Sequence, residues 1–448
     1  MQCLRSPSST LLQSLDTAKH TARRLIPSQR IRVVSGTAHF YQNKQLEVYA
    51  SRETKRLTLR QLIFYGRSIN EDRLIKSANY VRTELPVRIA HRLRDLQTLP
   101  YVVVTQEGIA KVYELYWSAF EKFRRYPQIN TVEENQAFCA FLRTLLDEHS
   151  TVIPSLSLGM SLSSPYLEPE RLDSFMRRML VSRISRRVLA EHHVALSATY
   201  EARKAGDKRS NDHVGIIHTG LDVKKSIQRC TQYLRNRPLD IDNDFPPDKI
   251  SKAEWSEVIV DGHLGTKFAY IREHLEYIIF ELLKNSFRAS RKAHPHENKL
   301  PPIRATIVAG GNHVMIRISD QGGGLMIPQI QSPSDLFSFS HVRNATRLQA
   351  ERLGALRQVS TNPRGVWATV HEQVDNWQQT PDEFQRSTVS ETEDNLNPHP
   401  RLGIGLPMSN IFATYFGGSL ELVSMDGYGT DVYVRLPRLG TNLELIEV

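Results

Sequence analysis

The stretch "YIIFELLKNSFRAS", residues 277–290, combines a core-facing pattern with a polar edge. Ile278, Ile279, Leu282, Leu283 and Phe287 recur at helical spacing and must pack against an interior. Glu281, Lys284, Asn285 and Arg288 interrupt them. Steps of three and four set Glu281 beside Asn285 and Lys284 beside Arg288. A second group lies in "HVMIRISDQGGGL", where alternating Val314, Ile316 and Ile318 read as a half-buried strand that ends at Asp320. Gly322, Gly323 and Gly324 let backbone approach a flat group without side-chain collision. A carboxylate only accepts hydrogen bonds, so Asp320 suits the exocyclic amine of adenine and would repel the guanine carbonyl. A third group is "RLGIGLPMSNIFATYFGG", with Gly403 and Gly405 ahead of a helix expected to start at Pro407. Backbone N–H groups at such a start receive phosphates.

Each group alone has a plainer reading: a solvated helix edge, a turn, a packed loop. "GIG" before a helix is not the dinucleotide fingerprint, which needs G-x-G-x-x-G after a first strand. The order is far more specific than its parts. An acid–amide helix precedes a strand ending in Asp and glycines, then a glycine pair before a helix, then a closing hairpin.

Two textures position these groups. From about 57 to 200 the chain reads as long amphipathic helices with short connections, which argues for a bundle. Breaks are expected near Gly66, at Pro86 and at Pro127, whereas "EPERLDSFMRRMLVSRISRRVLAEHHVALSATYEA" runs unbroken. After 210, β-rich runs ("IRATIVAGGNHVMIRISD", "SLELVSMDGYGTDVYVRLP") alternate with helices at 270–292 and 407–416, an α/β sandwich pattern. The fold class is therefore α+β. The expected division is a leader (1–46), a helical domain (47–210), an α/β domain (211–438) and a short tail (439–448). Residues 345–400 are polar and irregular, which reads as a functional lid or disorder.

Totals narrow the class further. The 448 residues are 40% hydrophobic, ordinary for a globular protein. No apolar run approaches the ~18 residues of a membrane span. Cys3, Cys139 and Cys230 form neither a disulfide framework nor a metal spacing, as suits a reducing compartment. Residues 1–46 hold seven Lys and Arg against one Asp, so six of the ten net positive charges sit there. This serine-rich, acid-poor leader reads as a mitochondrial transit peptide, with a disordered basic tail as the alternative. Without it, nothing favours nucleic-acid binding.

The ordered set resembles the GHKL ATP-binding fold of gyrase, mismatch-repair ATPases, histidine kinases and mitochondrial 2-oxoacid dehydrogenase kinases. Its asparagine box matches Glu281 to Arg288, its first glycine box Asp320 to Gly324, and its second 401–406, including Leu402, Gly403, Ile404, Gly405 and Leu406. "YGTDVYVRLP" is similar to the closing strand, where Thr430 would reach a phosphate. The resemblance implies ATP held under a mobile lid, here 339–400. "LIKSANYVRTELPVRIAHRLRDLQTLPYVVV", "VYELYWSAFEKF" and "MLVSRISRRVLAEHHVALSA" resemble the helical domain of the pyruvate and branched-chain kinases. "ELPVRIAHR" and the double His stand nearer the branched-chain type. The resemblance covers about 57–437. It implies a homodimer of the mitochondrial matrix that phosphorylates serine on the decarboxylase component, docks on the lipoyl domain of the acyltransferase core, and takes Mg²⁺ and K⁺ with ATP.

Within that resemblance Asn285 would ligate Mg²⁺ bridging the phosphates, since an amide oxygen is a hard ligand. Glu281 would orient the serine hydroxyl and receive its proton. Lys284 and Arg288 would offset phosphate charge. Departures are Tyr277 where some members carry His, Gln321 for a usual Arg, and Arg401 for a usual Gly. Ser340 and His341 stand in place of a Thr-rich lid start. Two other readings stay open: a histidine-kinase-like enzyme labelled on His192 or His193, and a catalytically weak ATP-binding adaptor for lipoyl domains.

Overall fold

The computed structural model describes residues 44–206, 212–235, 255–297, 299–325, 333–340, 403–439 and 442–446. The leader, His341, Arg401, Leu402 and most of the expected lid lie outside the described residues. From Lys44 to Val448 the chain forms one compact unit.

Among the described residues the first helices are α1 (Lys44–Ala50), α2 (Leu59–Arg67), α3 (Glu71–Gln97), α4 (Tyr101–Val104), α5 (Glu107–Arg125), α6 (Val132–Glu148), α7 (Val152–Ser163) and α8 (Pro169–Lys204). Their ends follow local chemistry. Thr58 and Thr131 form capping boxes with Gln61 and Glu134 at the starts of α2 and α6. Tyr126, before Pro127, is forced into extended backbone and stops α5. Pro86 does not break the chain as expected: it sits buried inside the 27-residue α3. The packing of α3 on α1, α5, α6 and α8 outweighs the one hydrogen bond that Pro86 cannot donate. The 36-residue α8 is continuous, as its pattern indicated.

The second part adds β1 (His213–Val214), β2 (Ile217–Asp222), α9 (Val223–Arg235), β3 (Val258–Gly262), β4 (Lys267–Ile271), α10 (Arg272–Ala293), β5 (Ile303–Ala309), β6 (His313–Asp320), α11 (Pro333–Leu336), α12 (Gly405–Thr414), β7 (Ser419–Met425) and β8 (Gly429–Pro437). A five-stranded sheet runs β3-β5-β6-β8-β7, parallel only at β3–β5, and a small antiparallel sheet runs β1-β2-β4. Alternation decides which face is covered: Val314, Ile316 and Ile318 of β6 and Val432, Val434 and Leu436 of β8 are buried. Helices α9, α10 and α12 pack on this sheet. Ile278, Ile279, Leu282, Leu283 and Phe287 of α10 are all buried, each contributing about 1.5–3 kcal/mol.

His192 and His193 lie inside the bundle. His193 joins Asn135 Oδ1 at 2.9 Å and Ser77 Oγ at 3.0 Å, one through each ring nitrogen. His192 is buried under Gly215, where a Cβ would collide with its ring. Burial, and secondarily the neighbouring His192, lowers the His193 pKa to about 3. The unfolded chain therefore binds this proton as pH falls below about 6.5, while the folded chain does not. The stability it contributes is present above that value and lost toward pH 3. Urea unfolding between pH 4 and 7 should show stability rising with pH, and His193→Gln should flatten the rise. Equal slopes in both proteins would mean that His193 is protonated in the fold.

Candidate functional site

Helix α10 holds its polar edge in place by burying everything else. Between Glu281 and Arg288 only Asn285 is exposed, and Arg288 is half-buried. Glu281 is 3% exposed and its Oε1 accepts from Lys284 Nζ at 2.5 Å. Lys284 also stands 5.4 Å from the centre of the Phe280 ring. The positive charge assigned to phosphates is thus engaged first by Glu281.

Helix α12 meets that carboxylate end-on. Gly405 is its first residue, and a Cβ there would overlap Glu281 Oε2. The helix starts two residues earlier than Pro407, which instead occupies the first turn. There its missing N–H deprives the helix of no internal bond. No side chain among the described residues caps this start. Gly403, at φ +66°, turns the chain into it, and Ile404 supplies the carbonyl that accepts from Met408 N–H. Leu406 follows Gly405 in the first turn. Two of the three sequence groups are therefore in contact: the acid of the first touches the glycine of the third.

Asp320 ends β6 at the other side of the site. Its Oδ2 accepts from Ser286 Oγ at 2.8 Å and its Oδ1 from Gly322 N–H at 3.0 Å. Burial pushes its carboxyl above the usual range, against the lowering effect of the Gly322 and Ser286 hydrogen bonds. Each carboxylate oxygen keeps a lone pair for a further donor such as an adenine amine. Gly322 passes so close to Ala289 of α10 that a side chain would collide. Gly324, at φ +75°, would place a Cβ 2.6 Å from the Met425 carbonyl. The glycines are thus required by the close approach of α10 and the β7–β8 turn. That turn is bonded to Gly323 through Tyr428 O and Gly427 N.

The antiparallel register of β6 and β8 sets Thr430 directly across from Asp320. Ser340 is buried, its N–H held by Ser338 Oγ at 3.0 Å, and its hydroxyl has no hydrogen-bond partner among the described residues. Sequence reasoning missed Asp173 of α8, which accepts from Phe339 N–H at 2.7 Å and Ser338 Oγ at 2.6 Å. An acid early in a long amphipathic helix reads only as solvated surface, so no sequence signal marked it.

The geometry fits a nucleotide. A carboxylate with spare lone pairs marks one end and an uncapped helix start the other. No group of three or more His, Cys, Asp or Glu among the described residues could hold a metal. Gly405→Ala tests the central contact. In an ordinary helix this change stabilises by up to about 1 kcal/mol. Here the methyl would press on Glu281, so stability should fall by about 1–3 kcal/mol and calorimetric affinity for Mg²⁺-ATP should fall with it. A more stable variant with unchanged affinity would refute the contact.

Two family profiles match the chain. One, described as the mitochondrial branched-chain alpha-ketoacid dehydrogenase kinase, matches residues 56–218. The other, the histidine kinase-, DNA gyrase B- and HSP90-like ATPase, matches 271–440. Among curated relatives, the mitochondrial [pyruvate dehydrogenase (acetyl-transferring)] kinase 2 of Saccharomyces cerevisiae is 28% identical over 90% of this chain and 86% of its own. The corresponding mitochondrial kinase of Arabidopsis thaliana is 28% identical over 87% of this chain and 92% of its own. Human isozyme 1 is 24% identical over 89% and 80%. The first profile lies mainly on the helices, the second on the sheet and its site, and the relatives span both, so the chain is similar along most of its length to mitochondrial pyruvate dehydrogenase kinases, with a GHKL-type ATPase likeness over 271–440.

Proposed function

We propose that this protein is an Mg²⁺-ATP-dependent protein serine kinase of the mitochondrial matrix. Its substrate is the decarboxylase component of a 2-oxoacid dehydrogenase complex, pyruvate or branched-chain, which it inactivates. The helical part docks on a lipoyl domain, the protein works as a homodimer, and K⁺ assists nucleotide binding. The observation that carries the reading is the contact of the Glu281 carboxylate with Gly405 at the uncapped start of α12. It puts a proton acceptor beside the place where phosphates would bind.

ATP with Mg²⁺ supplies the phosphoryl group and neutralises its developing charge. Asp320 accepts from the adenine amine, and Ser286 and Gly322 fix its orientation. Asn285, the exposed residue one turn from Glu281, offers an amide oxygen to the metal. Glu281 orients the substrate hydroxyl and takes its proton, with Lys284 steadying the buried carboxylate. Arg288, Leu406 and the backbone at 403–405 face the phosphate end, and Ser340 presents a hydroxyl from the lid base.

The histidine-kinase reading loses its acceptor. His192 and His193 are both buried, and both nitrogens of His193 are engaged. Neither ring can reach a γ-phosphate without opening the bundle.

Purified protein incubated with radiolabelled ATP and each decarboxylase component should label serine on one of them. Label on a histidine of the kinase itself, with none on either component, would overturn the proposal. Asn285→Ala should lose both Mg²⁺-ATP binding and transfer. Glu281→Gln should bind ATP near normally while transfer falls roughly 10²–10⁴-fold, the usual worth of a positioned base. A fully active Glu281→Gln would remove the base assignment.

A further inference from the structure

Residues 442–446 are packed into the molecule, far from what a short tail suggests. Glu444 is 2% exposed and stands between three other segments. Its Oε1 accepts from Arg88 Nη2 of α3 at 2.8 Å and from Leu57 N–H at 3.0 Å; its Oε2 accepts from the Tyr415 hydroxyl. Backbone bonds frame it: Glu444 N–H to Leu57 O and Leu445 N–H to Tyr415 O, both at 2.9 Å. Arg88, itself buried, also donates to Glu84 Oε1 at 3.1 Å, to Lys55 O at 2.6 Å and to Ser185 Oγ of α8.

Tyr415 directly follows α12, whose opposite end meets Glu281. Between the two ends Phe412 lies against His274 and Tyr277 of α10, at ring distances of 4.7 and 4.8 Å. The ten-residue helix is therefore a lever: anchored at Tyr415, resting on α10 through Phe412 in its last turn, and presenting Gly405 at its tip. At 1.5 Å per residue it is about 15 Å long, so a tilt of about 10° at the anchor moves the tip by roughly 2–3 Å. That is enough to break hydrogen bonds to a phosphate.

We infer that Glu444 is a positioning residue for the nucleotide site, holding α12 through the Tyr415 hydroxyl and referring its position to the helical part through Arg88. The inference rests on the ATP-binding reading above. The carboxylate is suited to the task. It has lone pairs for the Leu57, Arg88 and Tyr415 donors at once, and the buried guanidinium fixes its charge.

The full-length protein tests this with three variants and two measurements. Tyr415→Phe removes one hydroxyl and Glu444→Ala the whole carboxylate. Glu84→Gln disturbs the same arginine without touching α12. If Glu444 positions α12, the first two raise KM for ATP on the order of tenfold, the worth of one buried hydrogen bond. kcat at saturating ATP stays within about twofold, since bound nucleotide reseats the helix. Glu84→Gln lowers the melting temperature and leaves KM unchanged. Glu444→Gln, which retains an acceptor, recovers most of the affinity. If Tyr415→Phe and Glu444→Ala instead behave like Glu84→Gln, less stable with KM unchanged, Glu444 is a structural pin and the inference falls. Wild-type protein that binds no ATP would sink the kinase reading instead, so the two failures are distinguishable.

Discussion

Everything at the site depends on keeping a carboxylate buried beside a helix start. Moving Glu281 out of water is costly, and in this fold its contacts make it tolerable. Lys284, three residues on, donates at 2.5 Å, and the positive end of α12 arrives through Gly405. Neither would suffice with different packing. The apolar face of α10 fixes the azimuth of Glu281, and the absence of a Cβ at Gly405 lets the second helix come into contact. Removing Lys284 would leave a buried charge with one partner fewer, a loss that typically costs 3–5 kcal/mol. The pair thus ties stability and chemistry to the same few atoms.

The approach of α12 to α10 is set at a distance. Aromatic rings of His274, Tyr277, Phe412 and Tyr415 fill the space between the helices, and burial keeps His274 neutral, lowering its pKa to about 3. Behind them the buried Glu444–Arg88 pair joins the chain's end to α3 and, through Ser185, to α8. Asp173 of α8 makes the corresponding tie to residues 338 and 339. The helical part therefore contacts residues 338–339 on one side and, through Glu444, Tyr415 at the end of α12 on the other.

Much of this was legible before the structure. The helix carrying Glu281 and Asn285, the strand ending in Asp320 and the α+β order follow from period and turn chemistry, which are local. What escaped was non-local. Pro86 reads as a break because its lost hydrogen bond is visible in sequence while the packing that outweighs it is not. That Thr430 lies opposite Asp320 is set by the β6–β8 register, which no local spacing shows. Glu444 is 356 residues from Arg88, a separation at which no spacing rule operates. Helical spacing sets Lys284 near Glu281 but does not show that both are buried.

Under the proposed roles, burial divides the work of adjacent turns of this helix. Asn285 is exposed while Glu281 four residues earlier is 3% exposed. An exposed amide is cheaply hydrated when empty and can trade water for a metal. A buried carboxylate cannot be hydrated, so it holds a fixed direction and accepts a proton with little solvent to reorganise. Interchanging the two would fail on both counts. An amide buried at 281 could not neutralise Lys284 or take up a proton, and a carboxylate exposed at 285 would swing freely and repel phosphate. The helix periodicity brings the residues together, and the tilt of α10 against the sheet and α12 decides which one meets water.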